Sequence, residues 1–300
     1  MLNVSLEEHL ESVDNDLASL ILKISDIAVS KLRYQLPSIR GKADTKNVFD
    51  EFQDALDIWA DRLFIEELGE LKSVNTIASE ERKDQVKLNE NGIFYLTSDP
   101  IDGSSNIISN NLLATIIGVY KDELPTQGTN QIASLYMLYG PITSLVYTTG
   151  NGVHEFFYTK RGFILREKNI RFPKKAKLIS PGGLRKDWLP RFRKYIEKLE
   201  KEGFKLRYGG SFAGDFHQIL HYGGVFAYPA LKENPDGKLR LLFESNPIAL
   251  ITKQANGKSS NGEYSILDVK PKSLDQRIPT YVGNDYLIDG LEQALKDRPV

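Results

Sequence analysis

The chain has 300 residues, 41% of them apolar, which is enough to bury a sizeable core as one large domain or two smaller ones. It contains no cysteine, so disulfides, thiolate zinc sites and cysteine nucleophiles are excluded. The formal net charge is only −1, yet 15 acids face 6 bases between Asp44 and Asp102, and 13 bases face 4 acids between Arg171 and Arg207. A metal-rich acidic half opposite an anion-binding basic half produces such an asymmetry; a nucleic-acid patch is the competing reading, and a solvated Lys/Glu helix over 187–201 accounts for much of the basic count.

In chain order, Val4 to Arg33 reads as amphipathic helix, with Leu17, Leu20, Ile21, Ile24 and Ile27 at helical spacing. Leu36 to Gly41 breaks it. Asn47 to Leu71 reads as a second helix with an apolar stripe (Phe49, Phe52, Leu56, Trp59, Leu63) and an acidic one (Asp50, Asp54, Asp57, Asp61). Taken alone, the acidic stripe is a solvated face. Ile77-Ala78-Ser79 reads as a short strand that ends at two adjacent acids, Glu80 and Glu81.

Gly92 to Leu96 and Leu112 to Tyr120 read as strands, and the stretch between them is the densest in chemistry. Ser98-Asp99-Pro100-Ile101-Asp102-Gly103-Ser104-Ser105-Asn106 sets two carboxylates three residues apart, with a proline stiffening the backbone. The small and polar residues that follow offer N–H groups and hydroxyls to a phosphate. Acids beside anion donors make sense when a divalent cation lies between them and a phosphate. The tetrapeptide Pro-x-Asp-Gly also fits a plain turn.

Strands follow at Ser144–Thr149 and Val153–Tyr158, joined by the hairpin signal Gly150-Asn151-Gly152, and at Phe163–Arg166. Composition shifts at Arg171 to Lys177, where a domain boundary is expected. Leu178-Ile179-Ser180 is a short strand leading into Pro181-Gly182-Gly183-Leu184-Arg185. Ser211 can cap a helix running through His221. His217 and His221, at i and i+4, resemble a zinc face, but Gln218 stands where His-Glu-x-x-His needs its glutamate, which disfavours zinc there. Arg240 and Glu244 are one helical turn apart and in isolation form a surface ion pair. Ser265–Val269 and Pro279–Gly283 read as closing strands, and Tyr286–Lys296 as a terminal helix.

These pieces resemble one family. The nine residues from Ser98 are similar to the metal-binding signature of the class I fructose-1,6-bisphosphatases, a family that includes sedoheptulose-1,7-bisphosphatases and belongs to the inositol-monophosphatase-like phosphatases. Ser79-Glu80-Glu81, Arg207-Tyr208-Gly209-Gly210-Ser211, Tyr222 to Pro229 and Lys238-Leu239-Arg240-Leu241-Leu242-Phe243-Glu244 resemble further family motifs, in the right order from about Asp14 to Asn284. Asn47 to Asp57 is similar to another, with Asp50 in place of a glycine. The resemblance implies a layered α/β fold, an α-β-α-β-α sandwich of the sugar phosphatase type. It implies an N-terminal α/β domain (1–172) carrying the metal-binding acids and a C-terminal one (173–300) binding the sugar bisphosphate.

By the same resemblance, Glu80, Glu81, Asp99, the Ile101 carbonyl, Asp102 and Glu244 hold two or three Mg²⁺, for which Mn²⁺ or Zn²⁺ substitutes. Glu81, Asp57 and Glu51 complete the metal shell or orient the attacking water. A regular helix puts Glu51 and Asp57 on different faces, so irregular backbone is expected there. Asp102, Gly103, Ser104, Ser105 and Asn106 cradle the transferred phosphate. Ser180, Tyr208, Tyr228, Lys238 and Arg240 bind substrate, and Arg207 reaches a distal phosphate across a subunit interface. Ser180 to Arg185 looks more like the sedoheptulose branch. The activity implied is hydrolysis of the 1-phosphate of fructose 1,6-bisphosphate, with a sedoheptulose bisphosphatase, an inositol-phosphate-type monophosphatase or a non-catalytic regulatory relative as alternatives. A homotetramer or homodimer is implied. AMP inhibition is expected to be weak or absent, because Asp14 to Ala18 and Ile93-Phe94 depart from the family's AMP-binding residues. With no apolar signal core at the N-terminus and no bilayer-length stretch, a cytoplasmic protein without nucleic-acid or membrane partners is expected.

Overall fold

The computed structural model describes residues 4–36, 42–46 and 52–296. The N-terminal amphipathic segment is two helices rather than one. α1 (Leu6–Leu10) opens with a reciprocal capping box: the Glu8 N–H donates to Ser5 Oγ at 3.2 Å and the Ser5 N–H to Glu8 Oε2 at 2.7 Å. α2 (Asn15–Asp26) restarts because Asp14 Oδ1 accepts the N–H groups of Asp16 and Leu17, both at 3.2 Å. Such a cap is worth about 1 kcal/mol, enough to place a break that hydrophobic periodicity alone does not reveal. A π-helical turn (Ile27–Leu32) and the short α3 (Arg33–Gln35) end the segment.

Strands β1 (Lys42–Lys46) and β2 (Phe52–Asp54) pair antiparallel, so the predicted second helix begins only at Ala55, as α4 (Ala55–Gly69). Residues 47–51, Glu51 among them, lie outside the described residues. Asp57 and Asp61, on the stripe that reads in isolation as solvated, are 7% and 4% exposed. Burial of Asp61 is tolerated because the Arg82 Nε donates to its Oδ2 at 2.7 Å.

The strands β3 (Val74–Ser79), β4 (Val86–Lys87), β5 (Phe94–Asp102), β6 (Leu113–Tyr120), β7 (Gln131–Tyr139), β8 (Thr143–Thr148), β9 (His154–Thr159) and β10 (Gly162–Lys168) form one sheet in the order β10-β9-β8-β7-β6-β5-β3-β4. The β3–β5 pair is parallel and the others antiparallel. Both faces are buried, and the period-2 alternation of β6 sorts its side chains between them. Leu113, Ile117 and Val119 pack with α1, α2 and α4; Ala114 and Ile116 pack on the opposite side.

A second sheet runs β12-β11-β13-β15-β14, from β11 (Leu178–Pro181), β12 (Lys205–Leu206), β13 (Gly224–Tyr228), β14 (Lys258–Ser260) and β15 (Thr280–Gly283). α6 (Phe212–Tyr222) and α7 (Asn246–Gln254) share a core with both sheets, while α5 (Pro190–Lys201) and α8 (Asp285–Lys296) cover the outer face through Ile179, Val225 and Tyr281. The result is five layers, α-β-α-β-α. Ser265–Val269 is not the expected strand: Ile266–Asp268 forms a 3₁₀ turn whose Ile266 and Leu267 fill the core shared by the two sheets. Among the described residues no helix is long and apolar enough to cross a membrane.

One cluster under the first sheet is pH-sensitive. His9 packs edge-on against Tyr147, His154 and Phe156, with its Nδ1 2.5 Å from the Tyr147 hydroxyl. Burial lowers both imidazoles, His154 to about 4, with repulsion from His9 and Lys168 adding to the shift. Their folded-state values lie below those of the unfolded chain. The stability they contribute is therefore whole above about pH 6.5 and is lost as the pH falls toward 4. A thermal-melt series from pH 7 to 4 is expected to show a falling midpoint, and His154→Phe is expected to flatten part of that slope.

Candidate active site

A cavity of about 230 Å³ opens where the C-terminal ends of β3 and β5 meet the N-terminus of α6 and the segment 238–244. β3 delivers Glu80 and Glu81. β5 delivers Asp99 and Asp102, and here a local irregularity is decisive. Side chains alternate along a strand, so residues three apart normally face opposite sides. In the β5–β6 ladder Asp99 pairs with Ile116 and Asp102 with Ala114, so three steps on one strand oppose two on the other. This one-residue bulge at Pro100-Ile101 turns both carboxylates into the same cavity. Proline suits a bulge because it has no ladder N–H to lose; the Pro100 carbonyl accepts from Thr115 Oγ1 at 2.7 Å. Gly103 then turns with φ +79°, and a Cβ there would lie 2.8 Å from the Ser211 Cβ.

Asp102 is tied to the second half of the chain. It accepts from Ser211 Oγ (2.7 Å), Phe212 N–H (2.9 Å) and Ala213 N–H (2.8 Å). The last two are orphan donors at the start of α6, where the helix dipole also favours an anion. Ser211 Oγ meanwhile caps the helix by accepting from Gly214 N–H at 3.2 Å. Asp215 holds the turn before the helix, accepting from Gly209 N–H (2.7 Å) and Gly210 N–H (3.0 Å), while burial raises its pKa to about 6.

Glu80, Asp99 and Glu244 bring one carboxylate oxygen each within 4.8 Å of one another. Glu244 does not sit on a surface helix. It lies in a buried π-helical turn (Leu241–Ser245), where its Oε2 accepts the Arg240 N–H at 2.7 Å. The Arg240 guanidinium, 3% exposed, is hydrogen-bonded to Glu80 Oε1. Burial raises the pKa of all three acids, and for Asp99 the neighbouring carboxylates of Glu80, Asp102, Glu244 and Glu81 push further in the same direction. Glu80 Oε2 is buried without a hydrogen-bond partner. Oxygen donors in this excess, one of them orphaned, fit a hard divalent cation.

Asp57, Glu81, the Ile101 residue, Gly103, Ser104, Ser105, Tyr208, Tyr228, Lys238 and Arg240 line the same cavity. Lys238 Nζ stands 5.8 Å from the centre of the Tyr228 ring. Two expected residues, Ser180 and Asn106, are not brought in, and Arg207, expected to act across a subunit interface, also lies outside. Ser180 is fully buried in β11 beside Phe226. Asn106 spends its amide on the carbonyls of Leu112 (3.0 Å) and Gly209 (2.9 Å), which fixes the loop rather than opening toward a ligand. Arg207 is exposed outside the cavity, with Nη1 on the Leu206 carbonyl at 3.1 Å. Ser211 and Asp215 went unassigned as site residues in the sequence. Their signal was the Ser-x-x-x-Asp spacing across a helix start, which serves a cap as readily as a site.

A larger cavity, about 770 Å³, lies far from these acids, between α1, α2 and the first sheet, lined in part by His9, Asp14, Leu17, Phe94, Lys121 and Lys168. It lacks convergent carboxylates, so the chemistry belongs to the smaller one. Buried acids repel a phosphate unless divalent cations stand between them. That arrangement, beside lysine, tyrosine and backbone amides on a five-layer α/β frame, defines a metal-dependent phosphate-monoester hydrolase.

Family models for the N-terminal and C-terminal domains of fructose-1,6-bisphosphatase match residues 5–168 and 172–296. The chain belongs to the class 1 fructose-1,6-bisphosphatase family. It is 41% identical over 291 residues to a fructose-1,6-bisphosphatase class 1 of Methanocorpusculum labreanum, covering 96% of this chain and 90% of the relative. The holo structure of Leishmania major fructose-1,6-bisphosphatase superimposes with a TM-score of 0.92 at 30% identity, covering 99% of this chain and all of that one. A Toxoplasma gondii protein provisionally assigned as a sedoheptulose-1,7 bisphosphatase superimposes with a TM-score of 0.89 at 30% identity, over 97% of this chain and 98% of that one.

Proposed function

We propose that this chain hydrolyses the 1-phosphate of fructose 1,6-bisphosphate to fructose 6-phosphate and inorganic phosphate, with Mg²⁺ as its ion. The observation that carries the reading is the Glu80–Asp99–Glu244 cluster facing Lys238 and two tyrosines across one cavity, in a chain of this family. Glu80, Asp99 and Glu244, with Glu81, Asp102 and the Ile101 carbonyl beside them, would hold the two or three ions. Mn²⁺ or Zn²⁺ would substitute. Bound there, the ions supply Lewis acidity and lower the pKa of a coordinated water.

The chain's own groups do the rest. Glu81 and Asp57 orient the attacking water and take its proton. Ser104, Ser105 and nearby backbone N–H groups cradle the transferred phosphate as its charge redistributes. Lys238, Tyr208 and Tyr228 hold the second phosphate, which selects bisphosphates over monophosphates. Asp102 fixes the metal-bearing loop to α6. Arg207 would act on the site of a neighbouring subunit in a homodimer or homotetramer. The setting proposed is cytoplasmic sugar metabolism, in the direction of gluconeogenesis.

Phosphate release with Mg²⁺ on fructose 1,6-bisphosphate, sedoheptulose 1,7-bisphosphate and inositol 1-phosphate tests this side by side, with a chelator as control. Fructose bisphosphate is expected to be turned over best, and activity is expected to vanish with the chelator. Inositol phosphate turned over as fast, or activity without metal, would reject the reading. The stretch Ser180 to Arg185 and the Toxoplasma neighbour favour one second reading, a sedoheptulose bisphosphatase; better turnover of that substrate would establish it.

Lys238→Ala is expected to raise KM by about 10- to 100-fold, the worth of a charge-assisted contact, while kcat changes little. A fall in kcat at constant KM would remove Lys238 from the distal phosphate. AMP at micromolar concentrations is expected to leave the rate unchanged. Inhibition at that level would overturn this expectation.

A further inference from the structure

The one histidine pair of α6 lies at the opposite end of that helix from the acid cavity. His217 and His221 are i and i+4 on the face that packs over the first sheet. Beneath them the sheet carries a row of paired residues: Tyr136 on β7 opposes Val146 on β8, Val146 opposes Glu155 on β9, and Glu155 opposes Glu167 on β10. Glu155 is 2% exposed. Two carboxylates directly opposed across strands repel one another, and a buried one needs a cationic partner.

Both imidazoles converge on the Glu155 carboxylate at long pairing distances. His217 Nε2 is 3.4 Å from Glu155 Oε1, and His221 Nε2 is 3.3 Å from Oε2. Both exceed the usual hydrogen-bonding range. Each lies near the separation of about 3.3 Å between two ligands about 2.05 Å from one zinc, although the two nitrogens face different oxygens of the carboxylate, so a shared ion draws both toward one of them. One donor atom from each of the three residues falls within 4.8 Å of the others. One outer nitrogen is also engaged: His217 Nδ1 is 2.8 Å from the Tyr136 hydroxyl, while Glu167 Oε2, 4.0 Å from His221 Nδ1, is a charge neighbour beyond hydrogen-bonding range. Metal-bound histidines are oriented by such partners on their other ring nitrogen.

We propose that Glu155, His217 and His221 form a second metal site, suited to Zn²⁺ or a similar transition-metal ion and separate from the phosphatase cavity. Two imidazoles and a carboxylate leave a fourth position for water, and the histidines are a fifth to a quarter exposed, so an ion can enter. A bound ion clamps the C-terminal half of α6 to β9. The same helix presents its first N–H groups to Asp102, so the clamp braces the loop that carries the catalytic acids.

The test is Zn²⁺ binding by equilibrium dialysis in a large excess of Mg²⁺, on the wild type and on His217→Gln, His221→Gln and Tyr136→Phe. The wild type is expected to hold one zinc per chain roughly 100-fold more tightly than either histidine variant, with Tyr136→Phe about 10-fold weaker than wild type. Thermal melts with a chelator check that each variant is folded; in excess Mg²⁺, which occupies the acid cavity, Zn²⁺ is expected to raise the wild-type midpoint further than that of His221→Gln. Co²⁺ gives a readout that needs no variant. Four-coordinate histidine ligation produces strong visible bands, whereas an all-oxygen site gives weak ones. Equal zinc binding by folded histidine variants, or a nearly colourless Co²⁺ wild type, would overturn the proposal. Neither result would touch the Mg²⁺-dependent phosphatase reading.

Discussion

Asp99→Asn is expected to cut phosphatase activity by on the order of 1000-fold while leaving the metal-free protein as stable as wild type or more so. Loss of groups that merely orient metal ligands costs about 10–100-fold, and a direct ligand to the ion that stabilises the transferring phosphate should cost more. The stability half of the prediction follows from the surroundings. Asp99 is buried, and four neighbouring carboxylates oppose its charge. An amide of nearly the same shape removes that repulsion. Thermal melts in chelator and rate measurements in Mg²⁺ read the two effects separately. Undiminished activity would remove Asp99 from the metal set, and a marked drop in the metal-free midpoint would show that it supports the fold.

Asp102→Asn is expected to lose activity as well, but with the opposite effect on stability. The loop signature alone suggests that this variant keeps its fold. The structure revises that expectation, because both Asp102 oxygens accept hydrogen bonds, from Ser211 Oγ and the N–H groups of Phe212 and Ala213. An amide nitrogen would point a donor at donors. Leaving one buried donor without an acceptor costs about 1–3 kcal/mol, and the favourable charge at the start of α6 is lost too. The melting midpoint in chelator is therefore expected to fall for Asp102→Asn and not for Asp99→Asn. Equal midpoints would show that Asp102 is not what fastens α6 to the metal-binding loop.

Much of the site was legible locally. Two acids after β3 and two in the Asp-Pro-x-Asp-Gly run are visible as residue types, since strand ends are where loops present chemistry. The histidine pair was visible as spacing, but its carboxylate was not, because Glu155 comes from a strand 62 residues before His217 in the sequence numbering. The acidic stripe of α4 misled in isolation: charge spacing on a helix cannot tell whether Arg82 waits on the other side of it.

Composition and local pattern sufficed for most element types, the helix cap at Ser211, the absence of thiol chemistry and the family resemblance. These depend on composition, on neighbours within a few residues, or on motif order, all of which are local. Tertiary structure alone decided which acids meet. A bulge at Pro100-Ile101 gives Asp99 and Asp102 one facing, α6 claims both oxygens of Asp102, and a buried turn carries Glu244 to Glu80 from 164 residues away in sequence numbering. It also left Ser180 and Asn106 outside the cavity, one buried within a strand and the other holding two carbonyls. The physical reason is the same in each case. A side chain's chemistry is fixed by what lies across from it, and that neighbour is set by register, bulge and layer packing rather than by adjacent residues.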